Sequence, residues 1–282
     1  MKICIVTLPL ALAALYGCKP MPNEGVPFYL RIDSVLLVTA GDSQGVSSHL
    51  ISDVWVEANA TNLGAYELPA YFPVLEENEV RMVISAGVKQ SGQAGVRVVY
   101  PFYDTDTFTL QAERTKVYNR VPVFRYKPLA RFAFRCEDFT LVNDYTSAMN
   151  TTSFFDSAAQ APYPPCGVIS VSPTDSNVLA SQVFTYSFPT GSEVWLELDH
   201  KNNVPFWVGY YAKGNGTVVT NRVLFVNPRN TWNKLYVKLS ESINSMNVQG
   251  YKEFNLFFEA LKPAHNTAGG HVYLDNIKIV YY

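Results

Sequence analysis

VWLELD, residues 194–199, alternates without interruption. Val194, Leu196 and Leu198 fall on one side; Trp195, Glu197 and Asp199 fall on the other. Successive strand side chains point to opposite faces, so this period of two marks a strand with one apolar face. Working outward, the same alternation recurs at 205–211, 217–226, 234–239, 253–261 and 272–280. Lys213-Gly214-Asn215-Gly216 between two of these runs is a hairpin turn signal. Upstream, RFAFRC (131–136) reads as a strand closed by Glu137-Asp138-Phe139, and the Ser/Thr/Ala/Pro-rich residues 143–166 read as a long loop. About eight strands over residues 129–282 predict a jelly-roll sandwich.

Residues 28–116 carry a second set of short runs, at 29–32, 35–38, 52–58, 66–75, 79–85, 96–100 and 107–110. Residues 59–64 are turn-rich, and Pro69, Pro73 and Pro101 belong at strand ends or edges, because proline donates no ladder hydrogen bond. Roughly seven strands in about 85 residues predict a small immunoglobulin-like or transthyretin-like sandwich. Residues 117–128, with Pro122 and Pro128, read as the linker. The expected fold class is therefore all-β, a small sandwich followed by a jelly roll. With 14% aromatic and only 16% charged residues, and a net charge of −2, the chain has no basic excess for a nucleic acid partner.

The first 17 residues have a different character. Lys2 precedes an apolar run from Ile3 to Leu15, and Gly17-Cys18 closes it. A charged start, a short apolar core and a small residue before the cut make a secretory signal peptide. The run falls short of the roughly 20 apolar residues that span a bilayer. Leu15-Tyr16-Gly17-Cys18 resembles a bacterial lipobox. That resemblance implies cleavage before Cys18, a diacylglyceryl thioether on its sulfur and acylation of its new amino group. Several acyl chains together hold a protein on a membrane. Residues 18–27 then form a lipidated Pro/Gly-containing tether, and the expected location is the cell envelope as an outer-membrane lipoprotein, facing either leaflet. Of the four cysteines, Cys4 leaves with the signal and Cys18 takes the lipid. Cys136 and Cys166 remain; in an oxidising compartment they are expected to pair, the alternative being two separately buried thiols. Such a bond would close a loop of about 30 residues, worth on the order of 3–4 kcal/mol in the chain-entropy picture.

Glu137-Asp138-Phe139 after an entry strand, and Val272-Tyr273-Leu274-Asp275-Asn276-Ile277 in the last strand, resemble the frame of galactose-binding-like and carbohydrate-binding jelly rolls. Together with LGAYELP (63–69) and YPFY (100–103), the mature chain resembles uncharacterised Bacteroidota-type lipoproteins. By alternation Asp275 shares a face with Tyr273, Ile277 and Ile279 and points inward. The resemblance implies a structural calcium near Glu137, Asp138 and Asp275; the other reading is that Asp275 accepts backbone hydrogen bonds. Asp156-Ser157-Ala158 resembles the O-glycosylation sites of such bacteria, with Ser157 as acceptor.

Sugars stack their apolar faces on aromatic rings while polar groups fix their orientation. Trp207 and Tyr211 stand four apart on one strand face, and Glu197 and Asp199 are candidate polar partners. Trp195, Tyr210 and Trp232 extend the aromatic set, whose alternative role is to fill or cover the sandwich. His49, His200, His265 and His271 are scattered, with no metal-ligand spacing, and there is no Gly-x-Ser-x-Gly elbow. The sequence therefore points to a non-catalytic glycan-binding lipoprotein rather than an enzyme, the alternative being an envelope assembly protein that docks another protein. Replacing Cys18 with Ser should abolish incorporation of labelled palmitate and move the protein out of the detergent phase on Triton X-114 partition. Unchanged labelling and partition would contradict the anchor.

Overall fold

The computed structural model describes residues 25–136, 166–182, 184–264 and 266–282. Residues 1–17, Cys18, Glu137, Asp138, Ser157 and His265 lie outside the described residues, as does the side chain of Cys136.

The first unit contains β1 (Phe28–Ile32), β2 (Leu36–Val38), β3 (Asp53–Ala58), β4 (Thr61–Glu67), β5 (Ala70–Val74), β6 (Glu79–Lys89), β7 (Arg97–Val99), β8 (Asp106–Gln111), β9 (Val117–Asn119) and β10 (Val123–Arg125). One sheet runs β4-β3-β6-β7, with β8 also on β6; facing it are the order β5-β1-β9 and the pair β10-β2. Strand β6 shows why these segments pair: Val80, Met82 and Ile84 are wholly buried while Glu79 and Arg81 alternate outward. They meet Leu30, Val54, Val56 and Phe72 in one core. Two features differ from the sequence expectation. The turn between β3 and β4 is only Asn59-Ala60, both with positive φ (48° and 65°), the geometry of a two-residue hairpin turn. The expected linker 117–128 is partly strand: β9 and β10 pair in parallel with β1 and β2, and Tyr126 bridges to Tyr103, so the first unit extends through Tyr126.

The second unit contains β11 (Arg131–Cys136), β12 (Gly167–Val171), β13 (Asn177–Ser181), β14 (Val194–Asn202), β15 (Phe206–Gly214), β16 (Thr217–Val226), β17 (Arg229–Lys238), the helix α1 (Ser240–Val248), β18 (Glu253–Leu261) and β19 (Gly270–Tyr281). A five-stranded sheet has the order β11-β19-β14-β17, with β12 also on β19, and packs on a four-stranded sheet of order β13-β18-β15-β16. Their shared core includes Leu196, Leu198, Phe206, Val208, Tyr210, Phe258 and Ile277. The β-sandwich class is as expected from the alternation. β12, β13 and α1 were not; two of the three buried helix residues are Ser240 and Asn247, so no apolar stripe marks it.

Strand β19 breaks its own period. Asn276 has φ 49°, and the β14–β19 register shifts opposite it. Leu274 and Ile277 both enter the sandwich core. The bulge therefore turns Asp275 and Asn276 to the other side, which corrects the expectation that Asp275 shares a face with Ile277 and Ile279.

That other side meets the first unit. Trp195, Tyr236 and Val280 pack into the first unit's core, with Trp195 and Tyr236 edge-on to Tyr100 at 5.4 and 5.0 Å. Glu197, with 0% exposure, is the polar centre of the junction. Tyr100 and Tyr126 donate their hydroxyls to its Oε1 at 2.7 and 2.8 Å. Lys234 and Lys278 place Nζ at 3.5 and 3.8 Å from Oε2, ion pairs rather than hydrogen bonds. Lys278 also donates to the Gln44 carbonyl at 3.1 Å, and Ser48 donates to Asp199 at 2.6 Å.

Burial pushes the Glu197 carboxyl up, but Lys278, Lys234 and the two tyrosine hydroxyls outweigh it and hold the group below the usual carboxylate range. Burial, reinforced by Glu197, raises the Tyr100 and Tyr126 hydroxyls well above their ordinary value, so both remain donors. A carboxyl that titrates lower folded than unfolded contributes stability that is whole above about pH 4.5, its unfolded value, and lost as pH falls through the lower folded value. Replacing Glu197 with Ala strands two buried ammonium groups and should cost about 3–5 kcal/mol, read as a lower urea midpoint. The gap between wild type and Glu197→Gln should narrow below about pH 4.5. A pH-independent gap would contradict the ion-pair account.

Candidate functional site

The four residues expected to form one ligand site divide between two sheets. Trp207 and Tyr211 lie on the outer face of the four-stranded sheet, because their neighbours Phe206, Val208, Tyr210 and Ala212 fill the core. Glu197 and Asp199 lie on the outer face of the five-stranded sheet, buried against the first unit. The packed core of the sandwich separates the pairs, a layer roughly 10 Å thick. Glu197 and Asp199 are therefore not ligand groups for Trp207; they join the two units. Trp195 belongs to that junction as well, and Tyr210 to the core.

Around Trp207, three other strands supply what the sequence reading did not foresee. Its register partners are Phe225 on β16 and Glu259 on β18. The Trp207 and Phe225 rings meet at 5.0 Å and 63°, edge to face, and Phe225 remains 40% exposed. Glu259 is held from both sides: Arg222 donates Nε to Oε2 at 2.7 Å, and Asn177 on β13 donates Nδ2 to Oε1 at 2.7 Å. The Arg222 hydrogen bond outweighs burial and lowers the Glu259 carboxyl, which stays ionised at neutral pH. The Arg222 side chain is 46% exposed. This chain of Asn177, Glu259 and Arg222 runs beside the aromatic pair.

Gly209 lies between Trp207 and Tyr211 because the Phe257 ring occupies the space of a side chain there. A Cβ on Gly209 would stand 2.3 Å from Phe257 Cζ. Tyr211 rests on the same ring at 4.9 Å. The face thus presents Trp207 and Phe225 at one end and Tyr211 at the other, about 13 Å apart at the rise of a strand. A bulge brings Phe225 and Arg222 together. They are three apart, so simple alternation puts them on opposite faces, but the register slips at Val223.

Such a face can stack the C–H side of a pyranose and orient its hydroxyls through ionised, pre-tied polar groups. The described histidines do not join it. His200 is buried in the other sheet, where Asn202 holds its Nδ1 at 2.9 Å and burial lowers its pKa. As for the expected calcium, Asp275 is wholly buried and accepts the Asn276 backbone N–H at 2.8 Å. Its register partner Asp199 is engaged by Asn276 and Ser48, both at 2.6 Å. Among the described residues no three His, Cys, Asp or Glu side chains converge as a metal site.

No protein-family model matches the chain, and comparison with curated proteins gives no match. Among solved structures, a family 29 carbohydrate-binding module is similar at 14% identity and TM-score 0.35, covering 54% of this chain and 88% of that one. A variant of such a module complexed with mannohexaose is similar at 14% identity and TM-score 0.33, covering 54% of this chain and 90% of that one. The enzymatically active domain of tailspike protein 4 of bacteriophage CBA120 is similar at 15% identity and TM-score 0.33, covering 49% of this chain and 18% of that one.

Proposed function

We propose that this protein is a non-catalytic glycan-binding lipoprotein of the cell envelope, and that the outer face of the four-stranded sheet is its binding platform. One observation carries the reading. An aromatic pair, the partly buried Trp207 and the exposed Phe225, borders a buried carboxylate that Arg222 and Asn177 hold in place. Aromatic rings left partly in water gain from covering by the apolar face of a sugar. A polar chain already tied to its neighbours loses little freedom when a hydroxyl joins it.

In this reading Cys18 carries the lipid and residues 18–27 space the sandwiches from the outer membrane. Cys136 ends β11 and Cys166 precedes β12, and both strands pair with β19, so a Cys136–Cys166 disulfide would link the two ends of residues 137–165. Ser157 would carry an O-linked glycan, and a structural calcium would draw on Glu137 and Asp138 with Asp275.

A rival reading, docking of another envelope protein, is favoured by the first unit. Tyr71 and Leu75 there are 58% and 66% exposed, and Tyr71 stacks on Tyr29 at 5.2 Å. Affinity electrophoresis of the mature protein through gels containing neutral polysaccharides separates the two readings. At least one polysaccharide should retard wild type. Trp207→Ala should weaken binding tenfold or more, about 1.4 kcal/mol, while Arg222→Gln weakens it less and Tyr71→Ala leaves it unchanged. No retardation in any gel, together with an envelope crosslink lost in Tyr71→Ala, would favour docking.

A further inference from the structure

A cleft of about 400 Å³ lies where the end of the second sandwich meets the first unit. That volume falls within the roughly 300–1,000 Å³ of small-molecule sites, which favour boundaries between units. One wall is the turn Ser91-Gly92-Gln93 between β6 and β7. Its position is fixed: Ser91 donates its backbone N–H to the Tyr236 carbonyl at 2.7 Å, and Gln90 bridges to the same residue. Gly92, with φ 69°, sits so close to β17 that a Cβ would stand 2.9 Å from Leu235 Cδ2. The opposite wall is the end of β16, including Phe225.

The chemistry of the lining is lopsided. Asn227, Asn233 and Gln93 offer amides, and Leu224, Val226 and Leu235 an apolar surface. Among the described residues, Arg229 is the sole cation of the lining and no carboxylate lines the cleft. His200 at the back adds no charge. Asn202 holds its Nδ1 and Asn233 stands 3.4 Å from its Nε2. Desolvation lowers its pKa, so the ring is neutral at pH 7. One exposed guanidinium without a facing carboxylate suits one singly charged planar anion, since the guanidinium fork matches a carboxylate. A phosphate, with nearly twice the charge, calls for more donors than this wall holds.

Phe225 connects the cleft to the platform, because its ring also packs on Trp207. We propose that the cleft is a subsite for a carboxylate-bearing sugar, a hexuronate, whose carboxylate pairs with Arg229 while its ring lies against Phe225. The proposal rests on the glycan reading and names its sugar class: acidic polysaccharide whose neutral stretch crosses the Trp207 face and whose uronate enters the cleft.

The test is a saturation-transfer NMR titration of the mature protein with digalacturonate and with the corresponding carboxyl-reduced disaccharide. Wild type should prefer the uronate by tenfold or more, and the preference should shrink as salt screens the exposed Arg229. Arg229→Gln should erase the preference, Arg229→Lys should retain part of it, and circular dichroism should show both folded. Neutral-polysaccharide retardation should be unchanged in Arg229→Gln, because Arg229 is not part of the Trp207 face. Equal affinity for both disaccharides, an unaltered preference in Arg229→Gln, or tighter binding of galactose 1-phosphate than of the uronate would each overturn the proposal. These outcomes leave the platform reading standing. That reading fails separately, if Trp207→Ala binds neutral polysaccharide as wild type does.

Discussion

The molecule is organised around one fully buried carboxylate. Glu197 lies where two sandwiches meet, between two tyrosine hydroxyls from the first unit and two lysines from its own sheet. Taking such a group out of water costs several kcal/mol, and its ion pairs and hydrogen bonds offset that cost only while every partner is in place. The first unit must therefore present Tyr100 and Tyr126 to one spot, and the rest of the contact follows. Tyr236 reaches the Leu50 backbone, Lys278 reaches Gln44, and the Ser91 turn lies on β17. An apolar junction of equal area would hold the units together but would tolerate sliding. The polar centre adds hydrogen bonds and ion pairs whose directions are met in this orientation.

This arrangement explains which parts of the structure could be read from the sequence. Period-two alternation identified most strands, because it reports a difference between two faces of one strand. It does not report what covers the polar face. Glu197 and Asp199 in VWLELD look like solvent-facing carboxylates beside a tryptophan, and by local pattern they are. Their burial is caused by residues about 70 to 150 positions away, Tyr100, Tyr126 and Ser48, which no local pattern links to them. The bulges failed for a different reason. Asn276 and Val223 each add one residue to a strand and reverse the parity beyond it, so spacing alone puts Asp275 on the face of Ile277 and cannot bring Arg222 to the face of Phe225. Helix α1 buries hydroxyl and amide groups that bond to the sandwich, Ser240 to Val194 and Asn247 to Phe188, and so carries no apolar period.

The candidate platform was half legible for the same reasons. Trp207 and Tyr211 share a strand and a parity, so their common face follows from spacing alone. Phe225, Glu259 and Asn177 come from three different strands, and their meeting depends on register, which turns and bulges decide. Gly209 left a faint trace: a glycine inside an alternating strand signals that something approaches the backbone closely, here the Phe257 ring.

The two outer faces of the second sandwich have thus been put to opposite uses. Around Trp195, Glu197 and Tyr236, the five-stranded face joins the first unit. The four-stranded face keeps its aromatic pair partly in water, beside a carboxylate tied down by Arg222 and Asn177. Because the junction fixes orientation, the Ser91 turn stands at a set position against β17, with Phe225 on the cleft's other wall. A chain lying along both regions meets rigid walls and loses mainly its own freedom, the condition under which a modest contact area yields useful affinity. On the proposed glycan reading, the buried carboxylate far from the platform would contribute to binding, by keeping platform and cleft in one fixed geometry.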